Sequence, residues 1–216
     1  MRKFGFLLFL SNLCLCTSLH AQILNGSFTT DLSDWYQLGS PTQGSGTPPG
    51  GTYANISSTN GSGGAPVTTI DTALSTVLPN TDIIFTPTQG EAIYQDFSLS
   101  QAGALSFEWS YSTFDNYPFD SAGYVLDGVY TQLEQTPPTE NTTPSAYQLV
   151  SNIPLSAGEH RLAFVSYNTG DDTTSTHIYI TDVEVPEPAT FVLTGMGLVL
   201  LALAAKPIRR LALARA

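Results

Sequence analysis

Between Tyr111 and Asp120 three aromatic side chains, Phe114, Tyr117 and Phe119, alternate with Asp115, Asn116 and Asp120. Exposed aromatic rings can stack on sugar faces. Carboxylate and amide groups beside them can hydrogen-bond hydroxyls or hold a cation through oxygen ligands. The same composition also describes a loop whose rings fold back onto a sheet edge, because large aromatics are buried mass first. A second acidic stretch, Asn168-Thr169-Gly170-Asp171-Asp172, lacks the ligand order of an EF-hand and reads as a turn.

No catalytic residue stands out. Apart from His20, the histidines are His160 and His177, and neither sits in an H-E-x-x-H spacing or near a G-x-S-x-G elbow. Each reads as packed on a strand face or turned to solvent. Carboxylates are numerous, and two from distant strands could meet at the roughly 5 to 10 Å that glycoside hydrolysis uses. A secreted polysaccharide-active hydrolase is therefore the alternative to the leading reading, which is not an enzyme.

Charge is divided sharply along the chain. Of the 18 acidic residues only Glu187 lies outside residues 22–185, and of the 7 Lys and Arg only Arg161 lies inside them. Nucleic acid is excluded as a partner, since a polyanion binder needs basic residues to displace counterions. Divalent cations are the natural counter-charges of such a surface. The 2 cysteines, Cys14 and Cys16, both lie in the first twenty residues, so the remainder holds neither disulfides nor thiolate metal sites.

The body is rich in Thr, Ser, Gly and aromatic residues, a composition suited to short strands joined by turns. Strands are expected at Ile23–Phe28, Trp35–Leu38, Thr52–Ile56, Val67–Ile70, Ile83–Phe85 and Ala92–Leu99. The strand that opens at Gly103 has the clearest pattern, with Leu105, Phe107, Trp109 and Tyr111 on one face and Ala104, Ser106, Glu108 and Ser110 on the other. Asp127-Gly128 marks a hairpin turn between residues 122–126 and 128–133. Strands at 147–150, 160–167 and 177–185 complete the set. Residues 39–64 otherwise read as a long loop, and no helical periodicity competes outside the two termini. The fold class is all-β, an antiparallel β-sandwich of jelly-roll type, flanked by an N-terminal signal helix and a C-terminal transmembrane helix.

Both ends are apolar and tipped with positive charge. Arg2 and Lys3 precede the apolar run Phe4–Leu10, and Ala21 offers a small residue for cleavage, so residues 1–21 read as a secretory signal peptide. At the other end Pro186-Glu187-Pro188 precedes uncharged residues 189–205, followed by Lys206, Arg209 and Arg210. The apolar run would span about 25 Å as a helix, and the basic cluster keeps its own end in the cytoplasm. This tripartite ending, residues 186–216, resembles the PEP-CTERM sorting signal of bacterial exported proteins. The resemblance implies recognition by an exosortase, transient anchoring in the inner membrane, and delivery to the cell surface or an exopolysaccharide matrix. A permanently anchored surface protein is the competing outcome.

Residues 22–185 carry a looser resemblance. Asn25-Gly26-Ser27-Phe28 followed by Trp35 resembles the start of galactose-binding-like jelly-roll domains, and Gly158-Glu159-His160 before Leu162, Phe164 and Tyr167-Asn168-Thr169-Gly170, then Ile180-Thr181-Asp182-Val183, resembles their final two strands. That resemblance implies carbohydrate binding or a structural role, and a structural calcium ion near the first and last strands. Thr29 stands where such domains often place a Glu, which leaves Asp182 as the best single calcium ligand.

Overall fold

The computed structural model describes residues 23–46, 51–58, 63–79, 86–114, 120–135, 142–170 and 175–186. Residues up to Val185 form one compact unit and Pro186–Ala216 a second, of which only Pro186 is described. The expected signal peptide, the strand at 83–85, residues 115–119, Glu187, Pro188, the apolar run and its basic cluster therefore lie outside the described residues. Among the described residues no helix is long and apolar enough to cross a membrane.

Two antiparallel sheets pack face to face, as the alternating pattern requires. The first contains β1 (Tyr36–Leu38), β4 (Ala65–Pro66), β5 (Pro87–Leu99), β7 (Ser121–Leu126), β8 (Val129–Gln135) and β10 (Gly158–Thr169), in the order β1-β5-β10-β7-β8 with β4 also on β5. The second contains β2 (Thr42–Ser45), β3 (Thr52–Ser57), β6 (Gly103–Thr113), β9 (Gln148–Leu155) and β11 (Thr176–Glu184), in the order β2-β3-β11-β6-β9. The inward row of β6, Leu105, Phe107, Trp109 and Tyr111, is buried as its period of two demands. It meets Ile93, Phe97, Leu162 and Phe164 from the first sheet and Ala54, Ile56, Ile178 and Ile180 from its own. Phe164 sits near the middle, its ring centroid 4.9 Å from Phe107 and 6.0 Å from Trp35.

Three expectations need correction. Val67–Ile70 is not a strand but the first half of a helix, α1 (Val67–Leu74). Its β-branched residues favour extended backbone locally. The deciding factor is tertiary: Ile70 and Leu74, four apart, lie on one helical stripe and with Leu78 cover Ala92, Val125, Ala163, Val165 and Tyr167 on the outer face of the first sheet. Ser75 closes the helix at φ +53°, and Thr76 N–H donates to Asp71 O at 3.1 Å.

Ile23–Phe28 is not a strand either. Asn25 and Phe28 have φ of +51° and +50°, and the Asn25 amide nitrogen donates to Asp31 O and Ser33 O at 3.0 Å each. Asparagine tolerates the left-handed region and satisfies the carbonyls of a tight loop, which explains the departure. The segment is tied to both sheets. Gln95, buried on β5, holds Leu24 N–H through its side-chain oxygen at 2.8 Å and donates to Asp34 O at 2.8 Å. Gly26 O accepts from Val183 N–H at 3.0 Å, and a Cβ on Gly26 would fall 1.9 Å from Val183 O. Within the expected loop 39–64 there is one strand more than anticipated, β2, paired with β3. Gly44 permits that pairing, because the Tyr53 ring occupies the space a side chain would need.

Candidate functional site

The outer faces of the two sheets differ. That of the first is largely apolar and covered by α1. Over that of the second no helix lies among the described residues, and its outward positions combine aromatic and polar side chains at one end with the carboxylates of Glu108, Asp182 and Glu184 at the other.

The face is built by strand alternation. On β11 the inward row Ile178 and Ile180 leaves His177, Tyr179 and Thr181 outward, and on β3 Ala54 and Ile56 leave Tyr53, Asn55 and Ser57 on the other side. Antiparallel register sets His177 opposite Ser57 and Ser112, and Tyr179 opposite Asn55 and Ser110. The rings form a continuous chain. Tyr53 meets Tyr179 edge to face at 5.3 Å, Tyr179 stacks on His177 at 6.1 Å, and Phe114 meets His177 edge-on at 6.4 Å. Tyr179 OH shares a hydrogen bond with Ser112 Oγ at 3.1 Å, and His177 Nδ1 faces Asn55 Oδ1 at 3.0 Å. Burial holds the His177 pKa below its ordinary value, so the ring is neutral at pH 7 and bonds Asn55 through its protonated Nδ1. Burial, chiefly, raises the Tyr179 pKa, and burial together with nearby Tyr53, Glu108, Asp182 and Tyr179 raises that of Tyr147. These phenols remain protonated donors. The Tyr147 hydroxyl is buried and has no hydrogen-bond partner.

At its other end the face opens into a hollow of about 280 Å³ lined by Ser27, Ser106, Glu108, Leu149, Asp182 and Glu184. A register shift between Thr181 and Glu184, with Asp182 at φ +49°, turns Asp182 outward and Val183 into the core.

Of the residues singled out from sequence, Phe114 and Asp182 therefore come to opposite ends of one face, Phe114 with 47% of its surface exposed. Asp120 does not join them. It is fully buried between the sheets, where its carboxylate accepts from Ser58 Oγ at 2.5 Å and Thr169 N–H at 3.2 Å. Asp115, Asn116, Tyr117 and Phe119 lie outside the described residues. No group of three or more His, Cys, Asp or Glu able to hold a metal is gathered among the described residues. Sequence reading missed Tyr53, His177, Tyr179 and Tyr147. The available signal was aromatic residues on the outward row of strands whose inward row is aliphatic.

A second hollow, about 410 Å³, lies at the start of β10 beside Asp96, Asp127, Glu159, His160 and Arg161. The charges of Asp96, Asp127, His160 and Arg161 are already committed to one another. Arg161 clamps Asp96 through Nε and Nη2 at 2.5 and 2.7 Å, donates to Ala73 O on α1, and lies 4.8 Å over the Tyr94 ring. Arg161 holds the Asp96 pKa below the usual carboxylate range. Both partners are partly exposed, so the pair is worth about 0 to 1 kcal/mol. Asp127, at φ +51° in the β7–β8 turn, receives Arg161 N–H at 2.9 Å and faces His160 Nδ1 at 2.8 Å, while His160 Nε2 donates to Ser156 O at 2.9 Å.

Burial opposes the charge on His160, but the bonds to Asp127 and Ser156 O and the charges of Asp127 and Glu159 prevail and raise its pKa. The resulting stability is fully present below about pH 6.5 and is lost as pH rises through the higher folded value. His177 acts in the opposite sense, costing stability as pH falls below about 6.5. Comparison of wild type with His160→Gln isolates the first effect. In thermal melts the variant loses more relative to wild type at pH 5.5 than at pH 8.5, and an equal loss at both would show that His160 is not charged by folding.

No protein-family model matches the chain, and no curated protein matches it. Solved structures similar to it include TmCBM61 in complex with beta-1,4-galactotriose, at 13% identity and a TM-score of 0.41 over 76% of this chain and 97% of the other. A cleaved adhesin domain of Lys-gingipain from Porphyromonas gingivalis is similar at 14% identity and a TM-score of 0.42, over 75% and 96%. The enzymatically active domain of tailspike protein 4 from bacteriophage CBA120 is similar at 14% identity and a TM-score of 0.34, over 74% of this chain and 20% of the other.

Proposed function

We propose that residues 22–185 form a non-catalytic carbohydrate-binding module whose ligand lies along the outer face of β3, β11 and β6. The observation that carries this reading is the chain of rings Phe114, His177, Tyr179 and Tyr53 on a sheet face over which no helix lies among the described residues, with Asn55, Ser112 and three carboxylates on the same face. Rings that brace one another lose little further freedom when a sugar stacks on them. Amide, hydroxyl and carboxylate groups supply the hydrogen bonds that fix its orientation. The preponderance of acidic residues favours neutral or amino sugars over anionic polysaccharides. A glycan array run in calcium and in EDTA tests the reading. Binding to neutral glycans is expected, and binding to none under either condition would leave only a structural role.

A second reading rests on the hollow that gathers Glu108, Asp182 and Glu184. A hydrolase using two of them would release reducing ends from a bound polysaccharide, and Glu108→Gln or Asp182→Asn would abolish the release. Binding without release leaves the module non-catalytic.

The termini support export and sorting through their order alone: signal peptide, body, Pro186-Glu187-Pro188, apolar segment, basic cluster. On this reading an exosortase cuts near the proline motif and delivers the body to the cell surface or an exopolysaccharide matrix. Pro186→Ala with Pro188→Ala is expected to leave the uncut, heavier form in the membrane fraction. Unchanged mass and release into the medium would overturn the sorting proposal and leave the sugar-binding one standing.

A further inference from the structure

The inter-sheet space is not apolar throughout. Strand alternation fixes which side chains enter it. On β10 Leu162 and Phe164 join the core between the sheets, while Ala163, Val165 and Tyr167 lie under α1. Ser166 and Asn168 therefore continue the inward row. On β5 Ile93 points inward and Ala92 outward, which places Glu91 inward, and Asp120 precedes β7 on the same side as Ala122. On the facing sheet Ser58 follows Ile56, Thr176 precedes Ile178, and Thr113 follows Tyr111. The greasy core thus ends in a layer made of Glu91, Asp120, Ser166, Asn168, Ser58, Thr113 and Thr176, all buried.

Hydrogen bonds show that this layer spans both sheets. Glu91 Oε2 accepts from Ser57 N–H at 2.8 Å, and Asp120 Oδ2 accepts from Ser58 Oγ at 2.5 Å, so two carboxylates from one sheet converge on one dipeptide of the other. Ser58 Oγ in turn accepts from Thr176 N–H at 2.8 Å, and Thr113 and Thr176 share a hydroxyl bond at 2.7 Å. Within this ordered network two side chains stand out. Asn168 is wholly buried, yet neither its amide nitrogen nor its amide oxygen has a hydrogen-bond partner, and the same holds for Ser166 Oγ. A buried amide left unsatisfied costs about 1 to 3 kcal/mol. Three such atoms in one place, flanked by carboxylates on the two neighbouring strands, call for a partner such as water or an ion.

We propose that this layer is a cation site in which Glu91, Asp120, Asn168 Oδ1 and Ser166 Oγ supply oxygen ligands to a calcium ion. The donor set is all oxygen, with two carboxylates, an amide carbonyl and a hydroxyl. It suits a hard divalent cation that accepts six to eight ligands in flexible geometry. Magnesium, which demands near-octahedral geometry and keeps its water, suits a buried, mostly protein cage less well. Asn168 Nδ2 then donates to a water carried by the ion. The ion fastens β5, β7 and β10 to one another, and Ser57 and Ser58 carry the fastening across to the facing sheet. The site lies about 23 Å along β10 from Arg161 and between the sheets rather than on the aromatic face, so it does not depend on the sugar-binding reading.

The test uses the full-length protein, stripped with EDTA and then titrated with calcium. One calcium per chain is expected by mass spectrometry of the metal, with a rise of several degrees in Tm when calcium is about a hundredfold above its Kd. Terbium substituted for calcium is expected to emit through the buried Tyr111 and Trp109 of the adjoining core. Asp120→Asn weakens binding at least about tenfold. Because that variant could simply fail to fold, Asn168→Asp supplies a gain-of-function arm. A third carboxylate tightens calcium about tenfold, while lowering Tm below wild type when calcium is removed. The proposal is overturned if stripped wild type shows neither a calcium-dependent Tm nor terbium emission. It is equally overturned if Asn168→Asp lowers Tm by the same amount with and without calcium, which would mark a layer filled by water. Binding abolished by Asp182→Asn and untouched by Asp120→Asn would place the ion in the exposed hollow instead.

Discussion

Tyr179→Ala is expected to lower affinity for a bound glycan about thirtyfold while leaving the sandwich folded. Tyr179 is the hub of the ring chain, meeting Tyr53 edge to face and stacking on His177. Its removal deletes one stacking surface and frees two others. Truncating an aromatic anchor of this kind costs about 2 kcal/mol, equivalent to about thirtyfold in Kd. Tyr179 is only partly buried and lies outside the inter-sheet core, so the fold loses little. Isothermal titration gives the affinity and a thermal melt the control. Unchanged affinity would remove the aromatic face from consideration, whereas lost affinity with an equal loss of structure would show only that Tyr179 supports the sheet.

The largest effect on stability is expected from Phe164→Ala. Phe164 is fully buried, contacts Phe107 and Trp35, and lies on β10, the strand that pairs with both β5 and β7. Emptying such a site removes transfer energy and leaves a cavity that close-packed neighbours fill only in part, for about 3 to 5 kcal/mol. Against a total of about 5 to 15 kcal/mol for an ordinary domain, the variant stands near the edge of folding. Denaturant titration reads the loss, and Leu149→Ala, at a site 64% exposed, serves as a control expected within about 0.5 kcal/mol of wild type. A loss below 1 kcal/mol for Phe164→Ala would mean that the two sheets are not packed through this ring.

How much of this was readable beforehand depended on whether the cause was local. The β6 alternation and the Asp127-Gly128 hairpin, with φ of +51° and +81° at its two turn residues, follow from side-chain period and turn chemistry within a few positions. α1 could not be read that way. Its residues prefer extended backbone, and only the apolar outer face of β5, β7 and β10 makes Ile70, Leu74 and Leu78 worth placing on a helix. The strand β10 carried a hint, since Leu162-Ala163-Phe164-Val165 is apolar on both faces and so must be covered on both. Asp120 shows the same limit at the site. A carboxylate between turn residues reads as surface by default, and its partner Ser58 is 62 positions away. Phe114 and Asp182 stand out in the sequence for different reasons. Register between β6 and β11 brings them to one face, and the pattern around either residue does not contain that register.

If sugar lies on the outer face of the second sheet, it shields the tyrosines of that face from chemical modification. The full-length protein is treated with a tyrosine-modifying reagent with and without a polysaccharide retained in the array, and the modified positions are located by mass spectrometry. Tyr36, 61% exposed and stacked on Tyr94 of the first sheet, is the internal control. Bound polysaccharide is expected to shield Tyr53 and Tyr179 while Tyr36 reacts at an unchanged rate. Shielding of Tyr36 with Tyr53 and Tyr179 still reactive would move the binding surface to the other sheet.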